Sequence, residues 1–153
     1  MMIGAVQAGA VPPETATEDF VEELEFSEGE VCDFPVKVTF VGSARARLFV
    51  NKDGNPKKAI VHLSDHGTFT NAATGESVSG HDAWTEIYVP TVEDPDTVTS
   101  VGLSIHFNVP GAGIVFIEAG KVVFDGETGE VLVAHGKHQF LDEDFDAICA
   151  ALS

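Results

Sequence analysis

The chain has 153 residues, 44% of them hydrophobic and 22% charged, which is long and apolar enough for one folded domain with a buried core. Eight Lys and Arg stand against 25 Asp and Glu, giving a formal net charge of −17. This charge repels phosphate backbones, so we predict no nucleic-acid partner, and no run of about 18 apolar residues predicts a transmembrane segment. The excess of acidic residues either only keeps the protein soluble or binds a cationic partner such as a basic protein.

Residues 1–30 are predicted to form an N-terminal tail. Positions 8–10 read Ala-Gly-Ala, the small-residue pattern of a signal-peptidase cleavage site, so the first ten residues are either the remnant of a signal peptide or a plain tail. The acidic stretch 18–30 is predicted to contain a short helix, capped by Thr17 and carrying an apolar face of Phe20, Val21 and Leu24.

Residues 31–153 are predicted to form a single β-domain. From position 34 the apolar residues alternate with polar ones, and Gly-, Asn-, Asp- and Pro-rich turns divide about seven to nine strands. The second faces of strands 44–51 and 97–109 mix small, polar and apolar residues instead of being fully charged. Because one face of a barrel strand can line a lumen, we predict an antiparallel β-barrel, or a barrel-like sandwich.

The last predicted element is a short C-terminal helix that Asp142 can cap and that buries an apolar face of Phe145, Ile148, Cys149 and Leu152. Cys32 and Cys149 are the only cysteines, one near each end of the domain. They either form a disulfide, which is typical of a secreted domain, or remain two buried thiols in a cytosolic one. The pairing and the N-terminal pattern together favour a secreted, extracellular protein.

The longest predicted strand, 97–109, separates two kinds of side chain. One face is wholly apolar and consists of Val101, Leu103, Ile105, Phe107 and Val109. The other face is polar but uncharged, and it is either an ordinary outer surface or the lining of a wet cavity that orients a ligand. In the second case His106 is the natural general base or hydrogen-bond donor, and the candidate ligand-binding residues are Ser104, His106 and Asn108.

A second candidate site lies on strand 83–89, where Glu86 shares one face with Trp84 and Tyr88. An aromatic pair around a carboxylate can hold a cation or a sugar, although simple cross-strand packing explains the same pattern. We predict no metal and no cofactor. His62 and His66 lie on a strand end, where the spacing of a helical zinc site does not apply, and no phosphate-binding loop is present.

Three segments carry a family resemblance. The domain opens with VCDFPV at 31–36, carries TNAATGESV at 70–78 and closes with ICAAL at 148–152. In these features it resembles a group of small secreted actinobacterial β-proteins that have cysteines near both ends and no established activity. The resemblance implies secretion and a β-barrel-like fold, and it assigns no catalytic residue.

Two functions remain open from the sequence. The first is a secreted, non-enzymatic β-barrel that binds a small ligand or a partner protein. The second is a cofactor-free isomerase or cyclase of the allene-oxide-cyclase or dirigent type, a suggestion that rests on fold analogy alone.

Overall fold

The computed structural model describes residues 11–153, which form seven antiparallel strands and one short helix. The strands are β1 Glu14–Phe26, β2 Val36–Val50, β3 Pro56–Asn71, β4 Ser77–Pro90, β5 Pro95–Val109, β6 Gly113–Asp125 and β7 Val131–His138; the helix is α1 Asp146–Ala151. Each strand pairs with the next along the chain in one meandering sheet. The predicted signal-peptide pattern at positions 8–10 lies outside the described residues.

The prediction of an all-β domain with a short C-terminal helix is confirmed, but the predicted barrel is not closed. Within residues 11–153 the sheet runs from β1 to β7 and no ladder joins these two edges. Strand β7 has only eight residues, and the chain then turns at Phe140 towards α1. The sheet is therefore an open, curved meander instead of a full barrel.

The predicted acidic helix near the N-terminus is wrong, because that stretch is the edge strand β1. It pairs with β2 over its 13 residues, from Glu14 opposite Leu48 to Phe26 opposite Val36. Phe20, Leu24 and Phe26 also fit a period of two, and isolated short helices are marginal in water. In the sheet, every second residue of β1 finds hydrogen-bond partners for its backbone groups along the free edge of β2. This pairing outweighs the helix that the spacing of the apolar residues suggested.

One face of the sheet and α1 enclose the core. Phe107 lies between Phe69 and Phe116 at centroid distances of 5.7 and 6.1 Å, and Phe116 stacks on Phe145 at 5.5 Å. On the helix side, Ile148 and Leu152 are fully buried. The helix begins at Asp146 with Phe145 as its N-cap, and Asp142 does not cap it as predicted, since residues 139–143 form turns.

The predicted disulfide is present. Cys32, in the connection between β1 and β2, is bonded to Cys149 of α1, and their Cα atoms lie 5.5 Å apart. The asparagine side chain of Asn71 also donates a hydrogen bond to the carbonyl of Leu152. These two links fasten the helix to one end of the sheet.

The predicted division of β5 into one apolar and one polar face holds for only part of the strand. The register with β6 shifts between Leu103 and Ile105, next to Gly102 with its positive φ of 131°. Val101 is 42% exposed on the outer face, whereas Ile105 and Phe107 belong to the core. A β-bulge reverses which of the alternating residues face inward, so a prediction that assumes strict alternation is wrong on one side of the bulge.

Candidate functional site

A cavity of about 570 Å³ lies on the concave face of the sheet. Strands β1 to β6 and the turn after β7 all contribute to its wall, which shows how strongly the sheet curves. We call it the acidic cavity, because its charged lining residues are Glu22, Asp65, Glu86 and Glu118. The rest of its wall is mostly apolar and aromatic, with two serines: Phe20, Phe40, Leu63, Trp84, Ser100, Ser104, Ile105, Val122, Phe124, Phe140 and Leu141.

Asp65 is placed by the pairing of three strands. It lies opposite Gly42 of β2 on one side and opposite Asp82 of β4 on the other. A Cβ atom at Gly42 would come within 2.5 Å of the Asp65 Cβ, so only glycine leaves room for this side chain. The absence of a side chain at position 42 thus lets a carboxylate sit inside the fold.

The carboxyl group of Asp65 is poorly solvated. The residue is 3% exposed, and its Oδ1 has no hydrogen-bond partner within residues 11–153. Burial, together with the neighbouring Asp82 and Glu22 carboxylates and against an opposing effect of His81, raises the pKa of Asp65 to about 6. A carboxyl with this pKa changes protonation state near neutral pH and can act as an acceptor, a donor or an acid–base group.

Behind Asp65, Asp82 is completely buried and bonded to a histidine. Its Oδ1 accepts a hydrogen bond from Nδ1 of His106 at 2.5 Å, and its Oδ2 has no partner in the described part of the chain. Burial raises the pKa of Asp82, and the hydrogen bond from His106 opposes that rise. Two carboxyl groups and an imidazole therefore lie in cross-strand contact.

Glu86 is held by the two aromatic residues predicted beside it. Nε1 of Trp84 donates to Glu86 Oε1 at 3.0 Å, and the hydroxyl of Tyr88 donates to Oε2. Burial, together with this hydrogen bond and the Glu86 charge, raises the pKa of Tyr88 far above its usual value, so Tyr88 stays protonated as a donor. Trp84 and Tyr88 therefore orient the Glu86 carboxylate at the wall of the acidic cavity. They do not form a pair of facing rings with an open space between them.

Glu118 organises the turn that follows β7. His138 Nδ1 donates to Glu118 Oε1 at 2.5 Å, and the backbone N–H of Phe140 donates to Oε2 at 3.0 Å. Burial lowers the pKa of His138, but the Glu118 hydrogen bond and charge outweigh it, and the net pKa is raised. Because Glu118 is already bonded to two groups, it serves to position Phe140 at the cavity wall.

A second cavity, of about 690 Å³, lies towards α1. We call it the apolar cavity, because seven phenylalanines line it: Phe26, Phe40, Phe69, Phe107, Phe116, Phe140 and Phe145. It shares Phe40, Ile105 and Phe140 with the acidic cavity. A ligand in the acidic cavity would therefore have an apolar compartment next to its binding site.

The candidate residues from the sequence are distributed over three places. Trp84, Glu86 and Ser104 line the acidic cavity, and the Ser104 hydroxyl donates to the Glu118 carbonyl at 3.2 Å. Tyr88 reaches the cavity only through Glu86, and His106 is bonded to Asp82, which lies opposite the cavity residue Asp65 and does not itself line the cavity. Asn108 is exposed, pairs with Ser79 and lies in a separate surface groove beside Ser77 and Pro110.

The sequence reasoning missed Glu22, Asp65, Asp82 and Glu118. A signal for Asp65 was available: on β3 it interrupts an alternating series of small and apolar residues formed by Ala59, Val61, Leu63, Gly67 and Phe69. A carboxyl group in such a series is expected to be buried, and buried carboxyl groups are frequent at functional sites.

The described residues contain no candidate for a metal site and none for a membrane-spanning helix. In residues 11–153 no group of three or more His, Cys, Asp or Glu side chains is placed to hold a metal ion. No helix in the same residues is long and apolar enough to cross a membrane.

Comparison with protein-family models, with curated proteins and with solved structures found no match to this chain.

Proposed function

We propose that the protein binds a small molecule in the acidic cavity. The observation that carries this proposal is Asp65, a 3%-exposed carboxyl group with an unpartnered oxygen in the wall of a cavity of about 570 Å³. Ligand sites in proteins have volumes of roughly 300–1,000 Å³, mostly apolar walls and a few convergent polar groups. A small molecule suits this cavity better than a basic protein does, because the acidic groups line a concavity that a protein surface does not enter.

The test places one bulky side chain on either face of β5. Ser100 lines the acidic cavity, and its neighbour Val101 is 42% exposed on the outer face. We expect Ser100→Phe to weaken binding of the neutral probe 2-phenylethanol by about tenfold or more, since overlap with the ligand costs more than about 1.4 kcal/mol. Val101→Phe should bind like the wild type. The fluorescence of Trp84, the only tryptophan, reports binding from the cavity wall.

Equal binding of the probe by both variants would show that it binds elsewhere. If the wild-type protein retained neither this probe nor any other small aromatic compound, the ligand-binding proposal would fail. Thermal unfolding of each variant checks that a loss of binding does not come from a loss of folding.

A second function, that of a cofactor-free isomerase or cyclase, is favoured by one observation: Asp65 lies opposite Asp82, which is bonded to His106. In this mechanism the Asp65 carboxylate removes a proton from a carbon next to a carbonyl group and returns one to the substrate. The pKa of about 6 suits such a base at neutral pH.

The second function predicts catalysed proton exchange. In D₂O, Asp65 would remove an α proton of cyclohexanone and return a deuteron to the same carbon, which NMR detects. We expect exchange above the buffer rate in the wild type, a loss of about 100-fold or more of the catalysed rate in Asp65→Asn, and no change in the outer-face control Glu23→Gln. Exchange at the buffer rate in the wild type, or equal rates in the wild type and Asp65→Asn, would exclude this role for Asp65.

We also propose that the protein works outside the cytoplasm. The disulfide between Cys32 and Cys149 supports this, since such bonds persist in oxidising compartments, and so does the resemblance to small secreted actinobacterial proteins. Mass spectrometry of the protein from the culture medium of its host should find the oxidised chain. A reduced chain found only inside cells would overturn the proposal.

A further inference from the structure

Lys and Arg side chains are absent from the lining of both cavities. Every charged residue that lines the acidic cavity is acidic. None of the eight Lys and Arg, all of which lie in the described part of the chain, lines either cavity. Lys37, for example, is on the outer face, where it forms an ion pair with Glu23 at 3.1 Å. The interior therefore has a negative potential that the protein's own lysines and arginines do not neutralise locally.

The cavity carboxylates differ in how well they are already bonded. Glu118 is bonded to His138 and to the N–H of Phe140, and Glu86 accepts from two neutral donors. Asp65 accepts no side-chain hydrogen bond from residues 11–153, although it is almost completely buried. Burying a carboxylate without a partner is costly, and a bound cation would remove most of that cost.

The aromatic lining suits a cation with an apolar body. Trp84, Phe20 and Phe40 line the same cavity as Asp65. Ring faces attract organic cations and also pack against apolar groups. A bare metal ion fits less well, since within residues 11–153 no three side chains are positioned to coordinate one.

We propose that the ligand is a small organic cation, an amine with an apolar body, whose ammonium group pairs with Asp65 while the body packs against Trp84 and the phenylalanines. This inference rests on the proposed ligand-binding function and specifies its ligand class.

The experiment compares three probes that share one ring and differ in charge: 2-phenylethylammonium, 2-phenylethanol and phenylacetate. Titration calorimetry at about pH 7.5 should give the tightest binding for the amine, about tenfold weaker binding for the alcohol, and the weakest for the carboxylate, since a charge-assisted hydrogen bond contributes about 1.5–3 kcal/mol. Trp84 fluorescence should change in parallel.

Two variants then locate the ammonium group. Asp65→Asn should weaken binding of the amine by about tenfold and change the alcohol by less than about twofold. Glu22→Gln should weaken the amine selectively, whereas the neighbouring Glu23→Gln, which removes the same charge from the outer face, should not. The Glu22 and Glu23 pair separates a cavity effect from attraction to the net charge of −17.

The outcomes distinguish the inference from the function on which it rests. If the alcohol binds as tightly as the amine, or Asp65→Asn weakens both equally, the cavity binds ligands but the cation inference is wrong. If none of the probes binds, both the ligand class and the proposed function fail. Selective binding of the amine that Asp65→Asn removes supports both.

Discussion

At the scale of single residues, Asp65 determines how the site behaves. Its carboxyl is buried beside Asp82, and burial is the main reason why its pKa rises to about 6. A purely structural core would gain stability from an apolar or amide side chain at this position. Retaining a buried carboxyl that destabilises the fold is what a binding or catalytic group requires.

The raised pKa of Asp65 predicts how the stability of the protein depends on pH. The folded-state pKa of Asp65 is raised, so the folded protein binds a proton more tightly than the unfolded chain does, and stability falls as pH rises from about 4 to about 6. Asp65→Asn should therefore raise the free energy of unfolding by about 3 kcal/mol near pH 7.5 and change it little near pH 4. Urea unfolding followed by Trp84 fluorescence measures both values.

Asp125 serves as a control, because its substitution should change the stability in the opposite direction. It accepts hydrogen bonds from the backbone and hydroxyl groups of Thr128, which lower its pKa, and it lies in an exposed turn. Asp125→Asn should lower stability near pH 7.5 and lose this effect at low pH, since the ionised carboxylate accepts these hydrogen bonds more strongly than an amide or a protonated carboxyl does. A loss of stability in Asp65→Asn near pH 7.5 would contradict our account of Asp65, because it would mean that the ionised carboxylate is stabilising.

At the scale of elements, pairing decided what local patterns left open. The spacing of Phe20 and Leu24 fits a helix as well as a strand, and the free edge of β2 selects the strand. Similarly, β6 continues through Gly120 from Gly113 to Asp125. Gly120 lies opposite Gly136 of β7, both with positive φ, and a Cβ at either would lie 2.2 Å from a backbone oxygen of the other strand. The strand bends and continues because both partners lack a side chain.

Strand β5 shows why a site predicted from alternation was only partly found. Ser104 lines the acidic cavity, as the polar face suggested, while Asn108 faces the solvent. Ser104 is itself the extra residue of the register shift between Leu103 and Ile105, so the two ends of the strand present opposite sets of side chains to the interior. The alternation of apolar and polar residues along the sequence does not show where a bulge lies.

At the scale of the whole molecule, the disulfide joins the two ends of the domain. It links Cys32 and Cys149 across a sequence separation of 117 residues and fastens α1 beside the apolar cavity. Closing so long a loop stabilises a fold by roughly 4–5 kcal/mol in the chain-entropy model, a large share of the 5–15 kcal/mol typical of a domain.

We therefore predict that the double variant Cys32→Ser, Cys149→Ser loses about 4–5 kcal/mol in urea unfolding. The wild-type protein in excess reductant should show the same loss, which serves as the control for the substitutions. A loss below about 1 kcal/mol in both would mean that packing of Ile148 and Leu152 already holds the helix in place.

The sequence by itself determined the all-β class, the turns, the C-terminal helix and the two cysteines that pair. These properties follow from alternation, turn residues and composition, which are local along the chain. Only the tertiary structure decided that the sheet stays open and that Glu22, Asp65, Glu86 and Glu118, from four different strands, line one cavity without a lysine or arginine among them. The physical reason is that register and curvature set which distant residues meet, and burial, which shifts the pKa of Asp65, exists only after they have met.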